Sequence, residues 1–146
     1  MREGPILFCY DGSPESRAAI KTAAELLPLR RSVVLTVGSL GEVADVYAAE
    51  GSGARDYDGE LHAAVLGRAE EGADVARSEG FAAEARGELD TAVWRSVVDV
   101  GHQLDACVIV LGSRGLHGLR ELVEESVSHQ VATHAHRPVL IVSGPR

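Results

Sequence analysis

Short apolar runs alternate with helix-spaced segments along the whole chain, and that alternation leaves few folds open. The runs "PILFCY" (5–10), "SVVLTV" (32–37), "FAAEAR" (81–86), "ACVIVLG" (106–112) and "PVLIVS" (138–143) read as strands, the third more weakly than the others. The clearest of them are continuously apolar rather than alternating, as strands covered on both faces are. Between them, apolar residues recur three and four apart. Residues 14–28 carry Ile20, Ala23, Ala24 and Leu27 on one stripe, with Ser13 placed to cap and Pro14 in the first turn. A longer helix is expected over 58–79, with a stripe at Leu61, Val65, Ala69, Gly72, Ala73 and Ala76. Residues 90–105 place Val93, Val97, Val100 and Leu104 on one side, and a fourth helix is expected across much of 119–135. Residues 38–57, rich in Gly, Ala, Asp and Ser, are expected to form a mobile loop.

The resulting β-α-β-α-β-α-β-α-β order predicts an α/β fold: one domain over 1–146, built on a single doubly wound five-stranded parallel sheet of order 3-2-1-4-5, with helices on both faces. In such a sheet strands 1 and 4 lie side by side where the winding reverses, and ligands bind outside the carboxyl ends of the strands at that reversal. The loops leaving those two ends are "YDGSP" and "GSRGLHG", the most turn-like glycine motifs of the chain.

The net charge of −8 argues against a basic footprint for nucleic acid or for an anionic membrane. An anionic ligand must then be held by local dipoles and a few arginines. Lys21 is the one lysine; the other thirteen of the fourteen cations are arginines. Cys9 and Cys107 sit inside apolar runs and are expected to be buried free thiols. The N-terminal apolar run is too short for a signal peptide, and no stretch approaches the ~18 residues of a membrane span, so a cytoplasmic location is expected.

Two readings of the second loop stay open. Gly112 and Gly115 would let backbone N–H groups approach an anion, with Ser126 and Ser128 near a helix start and Arg114 as the nearest cation. Equally, the two glycines could merely permit a tight strand-to-helix turn. Neither a P-loop nor the G-x-G-x-x-G dinucleotide fingerprint is present. Asp11 could hold a ribose or a divalent ion, or simply precede Gly12 in a turn. His129, His134 and His136 do not make a recognisable metal set, because 134 faces away from the other two on a helix; no metal site is expected. Trp94 reads as a packing residue. No nucleophile elbow is present, so no catalytic residue is assigned and any ATP hydrolysis is expected to be slow or absent.

The stretches "ILFCYDGSPESRAAIKTAAELL", "DACVIVLGSRGLHGLRELVEESVSHQV" and "HRPVLIV", in that order, resemble the universal stress protein family end to end. The resemblance implies a five-stranded parallel domain that dimerises, often through its last strand, here 139–142. It implies ATP or AMP as the bound nucleotide, with or without Mg²⁺, held by G-2x-G-9x-G-[S/T]. Gly112, Gly115 and Ser126 occupy three of those four positions. Carried over, Gly112, Ser113, Arg114, Gly115, Ser126 and Val127 line the phosphate and ribose side. Asp11 approaches the ribose or triphosphate. Cys9, Tyr10 and Val37 flank the adenine, whose backbone partner lies on the loop after strand two. The third motif glycine is replaced by Glu125. Three functions follow: a stress-response nucleotide-binding module that alters partner contacts, a dimeric interaction protein that has lost nucleotide binding, or a weak ATPase.

Overall fold

The computed structural model describes residues 3–40, 57–113 and 126–143. Its five strands are β1 (Ile6–Cys9), β2 (Arg31–Ser39), β3 (Ala82–Asp90), β4 (Val108–Ser113) and β5 (Val139–Ser143). Four described helices, α1 (Pro14–Leu26), α2 (Tyr57–Ser78), α3 (Val93–Gln103) and α4 (Val127–His134), connect them. All strand pairs are parallel, in the order β3-β2-β1-β4-β5. The expected doubly wound topology is the observed one.

α1 begins and ends where local chemistry dictates. Ser13, in extended conformation, caps α1: its hydroxyl accepts from the Ser16 amide at 3.1 Å, with Pro14 at the first helical position. α1 stops at Leu27, immediately before Pro28, because a residue preceding proline is driven out of the helical region. The long α2 buries Val65, Ala69, Gly72, Ala73 and Ala76, the stripe anticipated from their spacing. Its end at Gly80, with φ of 104°, needs a residue without a Cβ. Gly72 has a different cause: a Cβ there would stand 2.6 Å from the Tyr10 ring and 2.7 Å from Val34, so glycine lets α2 lie close on the sheet.

Side-chain alternation sends β1 into two cores. Ile6, Phe8 and Tyr10 join Ile20, Ala23, Val34, Ala73 and Phe81 beneath α1 and α2. Leu7 joins Val33, Leu35, Val97, Val100, Ile109, Leu111 and Val131 beneath α3 and α4, with Cys9 and Val37 at its margin. Phe8 and Phe81 meet edge to face at 5.2 Å. Burial of one such aromatic or aliphatic side chain contributes about 1.5–3 kcal/mol. Cys9 and Cys107 are free thiols, half-buried and buried respectively. Burial, reinforced by the negative charge of Asp11, pushes the Cys9 thiol far above its ordinary pKa.

Several boundaries differ from the sequence reading. β2 runs on through Ser39 into the stretch assigned to a loop, because Gly38 and Ser39 stay paired with Leu89 and Asp90. The same pairing extends β3 to Asp90 and delays α3 to Val93. The fourth helix begins at Val127, since Ser126 takes up the extended geometry of a cap (φ −62°, ψ 153°). The remainder of the expected loop, 41–56, and residues 114–125 of the expected turn and helix lie outside the described residues. Among the described residues no helix is long and apolar enough to cross a membrane.

Candidate functional site

The carboxyl ends of β1, β2 and β4 lie side by side, with β1 in the middle. Leaving β1, the chain is pinned by its neighbour strand. The Tyr10 amide donates to the Leu35 carbonyl at 2.9 Å, and Thr36 Oγ1 donates to the Tyr10 carbonyl at 2.7 Å. It then turns sharply. Asp11 Oδ1 accepts from the Ser13 amide at 2.9 Å, an Asx turn that Gly12 completes with φ of 83°. The Ser13 and Ser16 amides are thus taken by side chains of the protein itself. The start of α1 is therefore a capped terminus rather than an open anion seat.

β4 approaches from the other side. A Cβ on Gly112 would lie 2.6 Å from the Glu15 carbonyl oxygen and 3.0 Å from the Ser16 amide nitrogen. Gly112 is therefore where the first turn of α1 rests directly on β4. The two glycine loops do leave adjacent central strands, as the topology predicts.

On the β2 side the crevice deepens into a cavity of about 300 Å³ lined by Asp11, Thr36, Val37, Gly38 and Ser39, with Leu61, Ala64, Val65 and Arg68 of α2 as the opposite wall. Arg68 Nη1 donates to the Asp11 carbonyl at 2.8 Å. The guanidinium lies over Gly12, where a Cβ would stand 2.4 Å from Nη1. Gly12 is favoured for its positive φ, and it leaves room for the arginine that rests on it.

Of the expected site residues, Asp11 and Val37 line this cavity; Cys9 does not, and sits at the margin of the second core on the other face of the sheet. Tyr10 does not line the cavity either: its ring lies on the same, α2-covered face of the sheet but is buried in the first core against Gly72. Its hydroxyl donates to Glu71 at 2.6 Å and accepts from Arg17 Nε at 3.1 Å, and Arg17 also pairs with Glu71. This triad staples α1 to α2. Burial and the bond to Glu71 raise the Tyr10 pKa, while the bonds from Tyr10 and then Arg17 lower that of Glu71. Gly112 and Ser113 end β4, Ser126 caps α4, and Val127 opens that helix against the second core. Arg114 and Gly115 lie outside the described residues.

The sequence reading placed Leu61 and Val65 on the stripe of α2 but assigned no site role to that helix or to Arg68; the packing of α2 over β2 makes Leu61, Ala64, Val65 and Arg68 a cavity wall.

The Ser126 hydroxyl accepts from the His129 amide at 3.2 Å and lies 3.1 Å from Ser128 Oγ. Ser126→Ala should cost about 1 kcal/mol of stability through the lost cap, and Ser126→Thr much less, as read by denaturant titration.

The pattern of the Universal stress protein family matches residues 4–143. Universal stress protein YxiE of Bacillus subtilis (strain 168) is 32% identical over 150 residues, covering 94% of this chain and 97% of that protein. Two solved folds are similar at lower identity. A universal stress protein in complex with cAMP is 22% identical, with a TM-score of 0.66 and coverage of 97% of this chain and 98% of that one. The universal stress protein from Archaeoglobus fulgidus in complex with dAMP is 24% identical, with a TM-score of 0.60 and coverage of 97% and 99%. Matched by the family pattern over nearly its whole length, the chain belongs to the universal stress protein family.

Proposed function

We propose that this protein is a stress-response module that binds an adenine nucleotide, ATP or AMP, at the crevice and signals through nucleotide-dependent contacts with a partner. The observation that carries the reading is the junction at Gly112. There the start of α1 meets β4, bringing the Asp11 turn beside the carboxyl end of β4, next to a cavity with an apolar wall and an arginine. Similar folds hold cAMP and dAMP. A cavity of about 300 Å³ is at the lower end of small-molecule sites, enough for the nucleoside part of a ligand. The phosphates would extend toward the loop after β4, where Gly115 and Ser126 complete three positions of the family motif. β5 is an edge strand with Ile141 exposed, and we read it as the homodimer contact.

A second reading, a dimeric interaction protein without a nucleotide, is favoured by two features. Glu125 replaces the motif glycine, and the amides at the start of α1 are already capped. The deciding experiment is mass spectrometry of the small molecules released when the purified protein is denatured, paired with melting curves in ATP and AMP. Trp94, the chain's one tryptophan, stacks on His134 of α4 with centroids 4.6 Å apart, so its fluorescence reports movement of the helix that follows the motif. A released adenine nucleotide, or a melting shift with a change at Trp94, is expected. An empty protein with neither response would favour the second reading.

A further inference from the structure

We propose that Arg68, a residue of α2 outside the glycine motif, contacts the nucleoside end of the ligand and is a determinant of its binding. The inference rests on the reading that the crevice holds an adenine nucleotide, and adds what the α2 wall does there.

The geometry runs from the helix inward. Leu61, Ala64, Val65 and Arg68 recur at three- and four-residue spacing, so the first three form an apolar wall and Arg68 caps it one turn on. A flat heterocycle laid on that wall would have the guanidinium at its edge. The guanidinium is planar and carries five donors and no acceptor. It can donate to ring nitrogens or ribose oxygens, or stack on a planar ring, and it cannot pair with another donor. Its present partner is the Asp11 carbonyl at 2.8 Å, and Gly12 gives it room.

Position decides between nucleoside and phosphate. Adjacent strands are about 4.8 Å apart, so the β2 side of the crevice and the end of β4 stand roughly two strand spacings apart, about 10 Å. Arg68 is on the β2 side, with the apolar wall. A nucleotide spanning that distance places its base and sugar beside Arg68 and its phosphates beyond β1.

The test titrates the full chain and two variants with adenosine, AMP and ATP, after melting curves establish that all are folded. Arg68 is exposed, so folding should be preserved. Arg68→Ala should weaken all three ligands by the same factor, about tenfold, as expected for one lost hydrogen bond from a charged donor. Arg68→Lys keeps the charge and can still donate to the Asp11 carbonyl, but lacks the planar fork; it should resemble alanine. A loss that grows from adenosine to ATP and is restored by lysine would make Arg68 a phosphate contact and overturn the assignment. Equal rescue of all three ligands by lysine would reduce Arg68 to a tether for the loop, also against it. Wild-type binding with no loss in Arg68→Ala would defeat this inference alone. A wild-type chain that binds none of the three would remove the proposed function and this inference together.

Discussion

Glu125→Gly should tighten ATP binding roughly five- to a hundredfold in equilibrium titration, while slightly lowering the melting temperature. Glu125 lies outside the described residues, so the argument starts from its neighbour. Ser126 is the cap of α4, which puts residue 125 immediately before a helix N-terminus. That terminus favours negative charge, and a native carboxylate beside it competes with a ligand phosphate for the same field. A carboxylate about 5 Å from a phosphate charge is repelled by ~1 kcal/mol in water and ~3 kcal/mol at an effective dielectric of 20. Each 1.4 kcal/mol is about tenfold in affinity. The same carboxylate stabilises the start of the helix by about 0.3–1 kcal/mol, so its removal should trade a little stability for affinity. Glu125→Gln separates charge from backbone. If charge is the obstacle, glutamine recovers most of the gain. If only glycine does, the obstacle is a positive φ, worth about 1–2 kcal/mol for a residue with a Cβ. Unchanged affinity in both variants would show that position 125 does not oppose the ligand, and the case for a lost site would go with it.

What could be seen beforehand divides along the same physical line. The strands were legible because a strand buried on both faces must be apolar at every position: "ILFC" and "VIVL" admit few other readings. The stripe of α2 was legible because Val65, Ala69, Ala73 and Ala76 repeat with the helical period. β3 was weaker for a visible reason. Its Glu84, Arg86 and Glu88 alternate with Ala83, Ala85 and Gly87, as on an edge strand whose second face is only partly covered, with Arg86 and Glu88 paired there. At the crevice, Asp11, Gly12 and Gly112 stood out as turn chemistry and topology brought them together. The ring of Tyr10 did not follow: alternation puts it on the α2 face, but there it is buried against Gly72 and tied to Glu71 and Arg17 instead of lining the cavity. Arg68 was invisible for another reason: an arginine on a helix gives no local sign of whether it meets water or the next layer. The helix-to-strand packing that settles it depends on small residues such as Gly72, whose consequence appears only when two elements meet.

Gly112→Ala tests that kind of contact at the site itself, and should destabilise the protein by about 1–3 kcal/mol, a fall of roughly 3–10 °C in Tm. The added methyl would meet the Glu15 carbonyl oxygen at 2.6 Å, its carbon at 2.7 Å and the Ser16 nitrogen at 3.0 Å. These are backbone atoms of the first turn of α1, and no rotamer change relieves them. Either β4 bends away from β5, to which Gly112 is paired through Val142, or α1 lifts from the sheet. Lifting α1 loosens Ala19, Ile20 and Ala23 in the first core and carries Ser13 and the Asp11 turn away from the crevice. Stability and nucleotide affinity should therefore fall together. Gly67→Ala is the matched control. It lies in α2 with nothing within 4 Å of an added Cβ, so the better helix former should stabilise by about 0.5–1 kcal/mol. Denaturant titrations of both variants, with nucleotide titrations alongside, give opposite signs if Gly112 is a packing glycine. A Gly112→Ala protein as stable as the wild type would mean that α1 does not rest on β4 there. The crevice would then lose the junction that brings its two loops together.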